Sequence, residues 1–216
     1  MILHDYWRSS AAYRVRIALN LKRVAYRAVA HDLRIGAQGT ADYAALNPQR
    51  MVPAIAWEGE AGGVVLTQSL AILEWLEERH PAPPLLPVDK TGRAIVRAMA
   101  ATIACDVHPL HNLRVLTALR SEFGADDAQV AAWMARWMGD GLAALEVMAA
   151  RHGEGFAYGD APGFADICLV PQIYSAERFG IDLGPYPTLV AAANRARALP
   201  AFEAAHPSRQ PDADPQ

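Results

Sequence analysis

The sequence predicts a small α/β domain followed by an all-helical one, and three observations carry that expectation. Pro81-Ala82-Pro83-Pro84-Leu85-Leu86-Pro87 places four prolines in seven positions, which cannot continue a helix and favour an extended connection. Before this seam, short β-branched and aromatic runs alternate with helical periodicity. After it, long alanine-rich segments repeat apolar residues at helical spacing with no strand pattern. The seam divides the chain into residues 1–82, a linker at 83–90 and a helical domain at 91–216.

Taken in order, residues 2–6 read as a strand, 11–22 as a helix and 24–30 as a second strand, which makes a β-α-β unit. A polar, glycine-containing stretch at 34–40 precedes a short helix near 42–46, strands at 53–57 and 64–66, and a helix at 69–79. In that helix Leu73 and Leu76, with Ile72 and Leu70 alongside, form a buried stripe, while Glu74, Glu77 and Glu78 are expected to face water. Four further helices are expected at about 92–119, 126–151, 164–178 and 188–198. Pro109 and Pro171 fall inside two of them, where a kink or a frayed turn is expected.

Of 216 residues, 52% are hydrophobic and 20% charged, the composition of a folded globule rather than a disordered chain. Twenty Lys and Arg against 23 Asp and Glu leave a formal charge of −3, so no broad basic field exists for a nucleic-acid backbone or an anionic membrane. His4, Asp5 and Arg8 interrupt the apolar stretch that a secretory signal needs, and no window is apolar enough for a membrane span. The chain therefore reads as cytoplasmic. Cys105 and Cys168 have neither C-x-x-C nor zinc-ligand spacing and read as buried structural thiols.

Four segments could carry chemistry. Arg8-Ser9-Ser10 lies between the first strand and the first helix. A serine there is an N-cap, accepting a bond from an unpaired amide of the first turn. The partial positive charge and free amides of the same helix end also suit a thiolate or another anion, and two serines allow one for each task. Met51-Val52-Pro53 opens a strand. On the residues alone a trans proline at an edge strand is favoured, whereas a cis bond would turn the Val52 backbone outward to pair with a peptide-like ligand. Thr67-Gln68-Ser69 heads the next helix, where capping and carboxylate binding again share one geometry. Together these three describe a groove for a small acidic peptide.

The fourth segment holds Asp106, His108, His111, Asn112 and Arg114. His108, His111 and Asn112 have i, i+3, i+4 spacing and so share one face of the expected helix. A metal site there lacks a third firm ligand, which leaves a polar face turned toward the other domain, or ordinary surface solvation.

The stretch Tyr6-Trp7-Arg8-Ser9-Ser10-Ala11-Ala12-Tyr13-Arg14-Val15-Arg16-Ile17-Ala18-Leu19 resembles the signature of the zeta-class glutathione transferases, the maleylacetoacetate and maleylpyruvate isomerases. The likeness continues through Ala45-Leu46-Asn47-Pro48, Val52-Pro53, Gln68-Ser69-Leu70-Ala71-Ile72-Leu73-Glu74, Leu169-Val170-Pro171-Gln172 and Ala176-Glu177-Arg178-Phe179. It closes with Ala205-His206-Pro207 and Gln210-Pro211-Asp212, so it spans almost the whole chain.

This resemblance implies a thioredoxin-like amino-terminal domain, an all-helical carboxyl-terminal domain, glutathione as cofactor, a homodimer and a cis Val52–Pro53 bond. Position by position, Ser9 matches the serine beside the glutathione sulfur, with Ser10 next in the turn. Gln38, Val52, Pro53, Gln68 and Ser69 match glutathione-binding positions, as do His108 and Asn112, which in the family reach across from the helical domain. Arg8, Arg114 and Arg178 are the expected grips for a substrate with two carboxylates, since arginine binds such groups bidentately. No metal ligand is expected.

Three positions depart from the family pattern: Ala11 where Cys or Thr is frequent, Met51 where Gln is common, and Gly163 where Ser or Thr often caps the helix containing Asp166. The implied reaction is conversion of maleylacetoacetate to fumarylacetoacetate in aromatic amino-acid catabolism, by thiolate addition, bond rotation and elimination. Maleylpyruvate isomerisation in gentisate degradation and general transferase chemistry on small electrophiles are the alternatives. The Ser9-Ser10 pair leans toward the maleylacetoacetate branch, whereas His108 and Arg114 also occur in the maleylpyruvate branch. A non-catalytic binding protein would not need Ser9, Gln68, Ser69 and three such arginines together.

Overall fold

The computed structural model describes residues 1–59 and 63–214. The chain forms two compact units, one made of Met1–Pro84 with the chain from Ala198 onward, the other of Leu85–Arg197.

The first unit opens with β1 (Ile2–Asp5), α1 (Ser10–Leu21) and β2 (Arg27–Ala30), then 3₁₀ turns at Leu33–Ile35 and Ala37–Gly39 and the short α2 (Ala41–Leu46). It continues through β3 (Ala54–Trp57), β4 (Val64–Thr67) and α3 (Ser69–Arg79). The strands form one mixed sheet in the order β2-β1-β3-β4, with β1 parallel to β2 and antiparallel to β3. Asp5 pairs with Ala30, His4 with Ala54, and Ala54 with Thr67. The exits of β1, β2 and β4 and the entry to β3 therefore lie at one end of the sheet.

Leu3 and Ile55 of the sheet, Val15, Ile17 and Leu19 of α1, and Ile72, Leu73 and Leu76 of α3 are fully buried and form the core. Helix α1 is so enclosed that Arg14 and Arg16 are buried with it. A buried guanidinium is tolerated only when its donors are satisfied. Arg16 meets this condition, donating to Asp5 Oδ1 at 2.7 Å, Trp7 O at 2.9 Å and Ala205 O at 3.0 Å.

Glu77 departs from the expectation of a solvent-facing stripe. It is buried and accepts from the buried Lys22 ammonium, which also donates to Pro83 O at 2.6 Å. The long Lys22 side chain supplies the charge that lets a carboxylate face inward, and helical periodicity alone carries no trace of it. Glu77→Ala leaves that ammonium buried beside an empty place, so a loss of roughly 3–5 kcal/mol is expected from urea unfolding. A loss under about 1 kcal/mol, the scale of exposed pairs, would show that the pair contributes little.

The second unit begins with α4 (Lys90–Ala101), capped by Asp89, whose carboxylate accepts from Gly92 N at 2.7 Å. A single helix over 92–119 was expected; the chain instead passes through a π-helical stretch (Thr102–Val107) and a 3₁₀ segment (His108–His111) before α5 (Leu113–Ser121). Pro109 has no N–H to give to a continuing helix, and Asn112 restarts it as the N-cap of α5, accepting from Arg114 N at 3.2 Å. The wider turn brings Ile103 and Val107 inward and leaves Cys105 exposed, correcting the expectation of a buried thiol there. Cys168 is buried.

Next come α6 (Asp127–His152), α7 (Phe164–Arg178) and α8 (Pro187–Arg197). Asp126 and Gln129 make a reciprocal capping box on α6, whose buried Val130, Met134, Met138, Leu142, Leu145 and Ala149 recur at spacings of three and four along one face. Gly141 is required on this helix, because a Cβ there would lie 2.1 Å from Val107 Cγ2. Helix α7 stays helical through Pro171, where a kink or frayed turn was expected. Its residues from Phe164 to Ile173 are buried, so packing holds the helix across the missing bond. Gly163 has no side chain to cap α7, and Asp166 serves instead, accepting from Gly163 N at 3.0 Å and from Ala157 N at 2.8 Å. Burial pushes the Asp166 carboxyl up to about 6 against those two bonds.

The chain then returns to the first unit, where α9 (Pro200–Ala205) packs on α1 and Asn20 Nδ2 donates to Ala201 O at 3.0 Å. The division that gave 91–216 to the helical domain thus differs at its end. The Arg16–Ala205 and Asn20–Ala201 bonds attach the last residues to α1, across a sequence distance that no local pattern reveals. Among the described residues no helix is long and apolar enough to cross a membrane.

Candidate active site

In the first unit, the sheet end defined above gathers Arg8, Ser9 and Ser10 after β1, Val52 and Pro53 before β3, and Gln68 and Ser69 after β4, while Gln38 lies further along, in the 3₁₀ turn Ala37–Gly39. Ser9 is the N-cap of α1, with its Oγ accepting from Ala12 N at 3.2 Å. That bond uses an acceptor site of the hydroxyl and leaves its proton to donate elsewhere. The amides of Ser10 and Ala11 have no hydrogen-bond partner among the described residues. Ser10 is the first helical residue and is buried, whereas Ser9 is half-buried. The half-buried Arg8 guanidinium lies 5.3 Å from the Trp7 ring centre.

The Val52–Pro53 peptide is cis, which the residues alone disfavoured and the family resemblance implied; Ala82–Pro83 is also cis. Tyr43 Oη and Asn47 Nδ2 each donate to Met51 O at 2.7 Å, a two-point brace for the peptide preceding Val52. Burial pushes the Tyr43 hydroxyl up to about 12, so it remains a donor at neutral pH. The N–H and C=O of Val52 have no hydrogen-bond partner among the described residues. An open main-chain pair beside a braced carbonyl is the complement of an extended peptide.

The brace stands on a histidine pair. His4 Nδ1 and His31 Nε2 are 2.9 Å apart, and the His31 ring lies 4.3 Å from that of Tyr43. A bond between two imidazoles needs at least one neutral ring as acceptor. Burial holds both below the ordinary 6.5, and the charges of His31 and Arg27 lower His4 further. Groups depressed in the folded state contribute stability that is intact above pH 6.5 and is lost as the pH falls through their folded values. The urea midpoint is therefore expected to decline below pH 6.5 more steeply in the wild type than in His31→Gln. Parallel decline would remove the pair as the cause.

Gln68, a non-glycine residue at φ 66°, precedes α3 without capping it, and its Nε2 donates to Gln49 Oε1 at 2.7 Å. Such a left-handed conformation is uncommon outside glycine and concentrates at ligand sites. The first-turn amides of α3 are left without a side-chain cap. Ser69 is buried, and its Oγ accepts from Arg14 Nη1 at 3.1 Å, which ties the heads of α1 and α3 together. Gln38 Oε1 is buried without a partner among the described residues.

The second unit holds the remaining expected residues. His108, His111 and Asn112 do not share a helical face, because the 3₁₀ segment ends at His111 and Asn112 has become a cap. His108 and His111 stack edge to face at 5.3 Å, as i, i+3 residues do at three per turn. His111 is buried, with Nε2 3.2 Å from Gln172 Oε1 and its ring 6.1 Å from Phe179. Arg178, exposed in the last turn of α7, lies 4.3 Å from the Phe179 ring centre, and Phe179 packs against the cluster of Leu116, Val130 and Met134 from α5 and α6. Arg114, in the first turn of α5, is exposed. Among the described residues no group of three or more His, Cys, Asp or Glu is arranged to hold a metal ion.

Tyr43, Asn47 and Arg14 were not foreseen as parts of this site. An Asn-Pro pair just before a proline-led strand was a signal for Asn47; an arginine on an otherwise apolar helix face was one for Arg14.

The family profile described as the glutathione S-transferase N-terminal domain matches residues 8–79. The maleylacetoacetate isomerase of Pseudomonas aeruginosa is 48% identical, over 98% of this chain and 98% of its own. Such identity over the whole length of both chains decides the family. This chain belongs to the zeta-class glutathione transferases. A holo structure described as a maleyl pyruvate isomerase, a bacterial glutathione S-transferase in zeta class, matches at a TM-score of 0.94 with 45% identity, covering 99% of this chain and 100% of that one. A maleylacetoacetate isomerase from Anaeromyxobacter dehalogenans, solved with glutathione in its active site, matches at 0.90 with 47% identity, covering 99% and 97%. The expected fold, a thioredoxin-like α/β domain with an all-helical remainder, is the fold found.

Proposed function

We propose that this zeta-class transferase is a glutathione-dependent cis–trans isomerase that converts maleylacetoacetate to fumarylacetoacetate. The observation that carries this reading is the open main-chain pair of Val52, at the same sheet end as two helix heads with unclaimed amides. That donor and acceptor set fits a short acidic peptide: Val52 for its backbone, the head of α3 with Gln68, Ser69 and Gln38 for a carboxylate end, and the head of α1 for a sulfur anion. His108 and Asn112 are also proposed as glutathione ligands, and Pro53 fixes the direction of Val52. When bound, glutathione supplies the thiolate that adds reversibly to the activated alkene, so that the former double bond turns as a single bond.

Ser9 donates its hydroxyl proton toward the sulfur and, with the first turn of α1, holds the thiol pKa below the free value of about 8.5. Each unit of that shift corresponds to about 1.4 kcal/mol. Ser10 shares the turn and orients it. Arg8 and, in the second unit, Arg114 and Arg178 are the proposed grips for the carboxylates of the substrate. The enzyme is proposed to work as a cytoplasmic homodimer in aromatic catabolism.

The test is isomerisation at catalytic glutathione, with the thiol counted at the end. Full turnover with all thiol recovered supports the isomerase; stoichiometric thiol loss would make the protein a conjugating transferase instead. Likeness to a maleyl pyruvate isomerase at 45% identity keeps maleylpyruvate as a second reading. Parallel assays on the two acids separate these, and the larger kcat/KM identifies the substrate.

A further inference from the structure

The Tyr6–Ser9 turn is held by the far end of the chain. Trp7 N donates to Asp212 Oδ2 at 3.0 Å, while Trp7 O accepts from Arg16 Nη2 at 2.9 Å. Arg16 in turn donates to Ala205 O, so both sides of the Trp7 residue are anchored through the last residues described. Ser9 N closes the turn on Tyr6 O at 2.9 Å. The tail itself is shaped by Gln210 Nε2, which donates to Ala204 O and His206 O at 3.0 and 2.9 Å. It is pinned a second time by Arg34, which donates to both carboxylate oxygens of Asp214 at 2.8 Å and to Asp32.

We infer that Asp212 is a positioning residue for the reaction, fixing the Trp7 peptide so that Arg8 and Ser9 stand in register with the head of α1. The inference rests on the reading of Ser9 and Arg8 given above. Among the described residues Asp212 supplies the only hydrogen bond to Trp7 N, and without it the turn that carries Arg8 and Ser9 loses its fixed edge. Small misplacements of reacting groups are costly: about 1 Å corresponds to roughly 10²-fold in rate. A merely structural role would lower stability and leave turnover of the folded protein unchanged.

The experiment compares Asp212→Ala and Asp212→Asn with the wild type, reading kcat, the KM of each ligand and thermal unfolding. Asparagine keeps an oxygen that accepts from Trp7 N; alanine does not. Asp212→Ala is expected to lose about 10-fold or more in kcat with a smaller change in the KM of glutathione, and Asp212→Asn to restore most of the loss. Unchanged kcat in Asp212→Ala, or equal loss in both variants, would overturn the inference. Should Asp212→Ala fail to fold, hydrogen exchange at the Trp7 amide decides: slow exchange in the wild type and in Asp212→Asn supports the anchor, and fast exchange in the wild type overturns it. A wild type that binds no glutathione would defeat the proposed function, whereas an active wild type beside an undiminished Asp212→Ala defeats this inference alone.

Discussion

Ser9→Ala is expected to slow isomerisation by about 10²-fold and to return the bound thiol toward a pKa of about 8.5. The size follows from the two jobs of one hydroxyl. As acceptor, Ser9 Oγ holds Ala12 N, and its loss as a cap costs roughly 1 kcal/mol of stability. That alone lowers the unfolding midpoint by about 2–4 °C for a chain of this size and leaves chemistry untouched. In the donor role proposed for it, the same hydroxyl would meet the sulfur where negative charge returns in each elimination, and removing one preorganised donor of this kind costs about 10²–10³ in rate. Titrating thiolate absorbance of the enzyme–glutathione complex separates the two losses. Ser9→Thr keeps both functions and is expected to keep most activity. Ser10, buried as the first helical residue, is expected to matter less; a larger fall in Ser10→Ala would move the donor role to that residue.

Arg178→Ala is expected to raise the KM of the diacid by about 10- to 100-fold, because one charge-assisted hydrogen bond contributes about 1.5–3 kcal/mol. Glutathione affinity is expected to stay within twofold or so, since the arginine is assigned to the substrate alone. The geometry favours a clean result. Arg178 is exposed at the end of α7 and lies over Phe179, so its removal opens no core. Arg178→Lys retains a charge but not the planar fork, and is expected to recover part of the loss. Equal weakening of both ligands would count against the assignment.

What could be read from residues alone follows the range of the interactions involved. The Ser9 cap, the strands and the helix heads were legible because each depends on neighbours within a few positions, although Gln68 marks the start of α3 without capping it. So was the seam of prolines. Glu77 was misplaced because its partner Lys22 sits just past the end of α1, and a charge turned inward looks no different from one turned outward until the opposite charge is located. The helix over 92–119 was misread because a π-helical stretch and a 3₁₀ segment keep apolar residues at nearly helical spacing while turning different side chains inward. The shared face of His108, His111 and Asn112 failed for the same reason. Tyr43 and Asn47 act on a carbonyl, and a main-chain acceptor leaves no mark in composition.

The first unit is discontinuous in sequence, since α9 covers α1 and Ala205 O takes one of the donors of the buried Arg16. A nascent chain must therefore emerge almost entirely from the ribosome before its earliest helix acquires its last neighbour. Until then the amino-terminal segment exposes an apolar flank with a partly unsatisfied guanidinium, a surface open to chaperones.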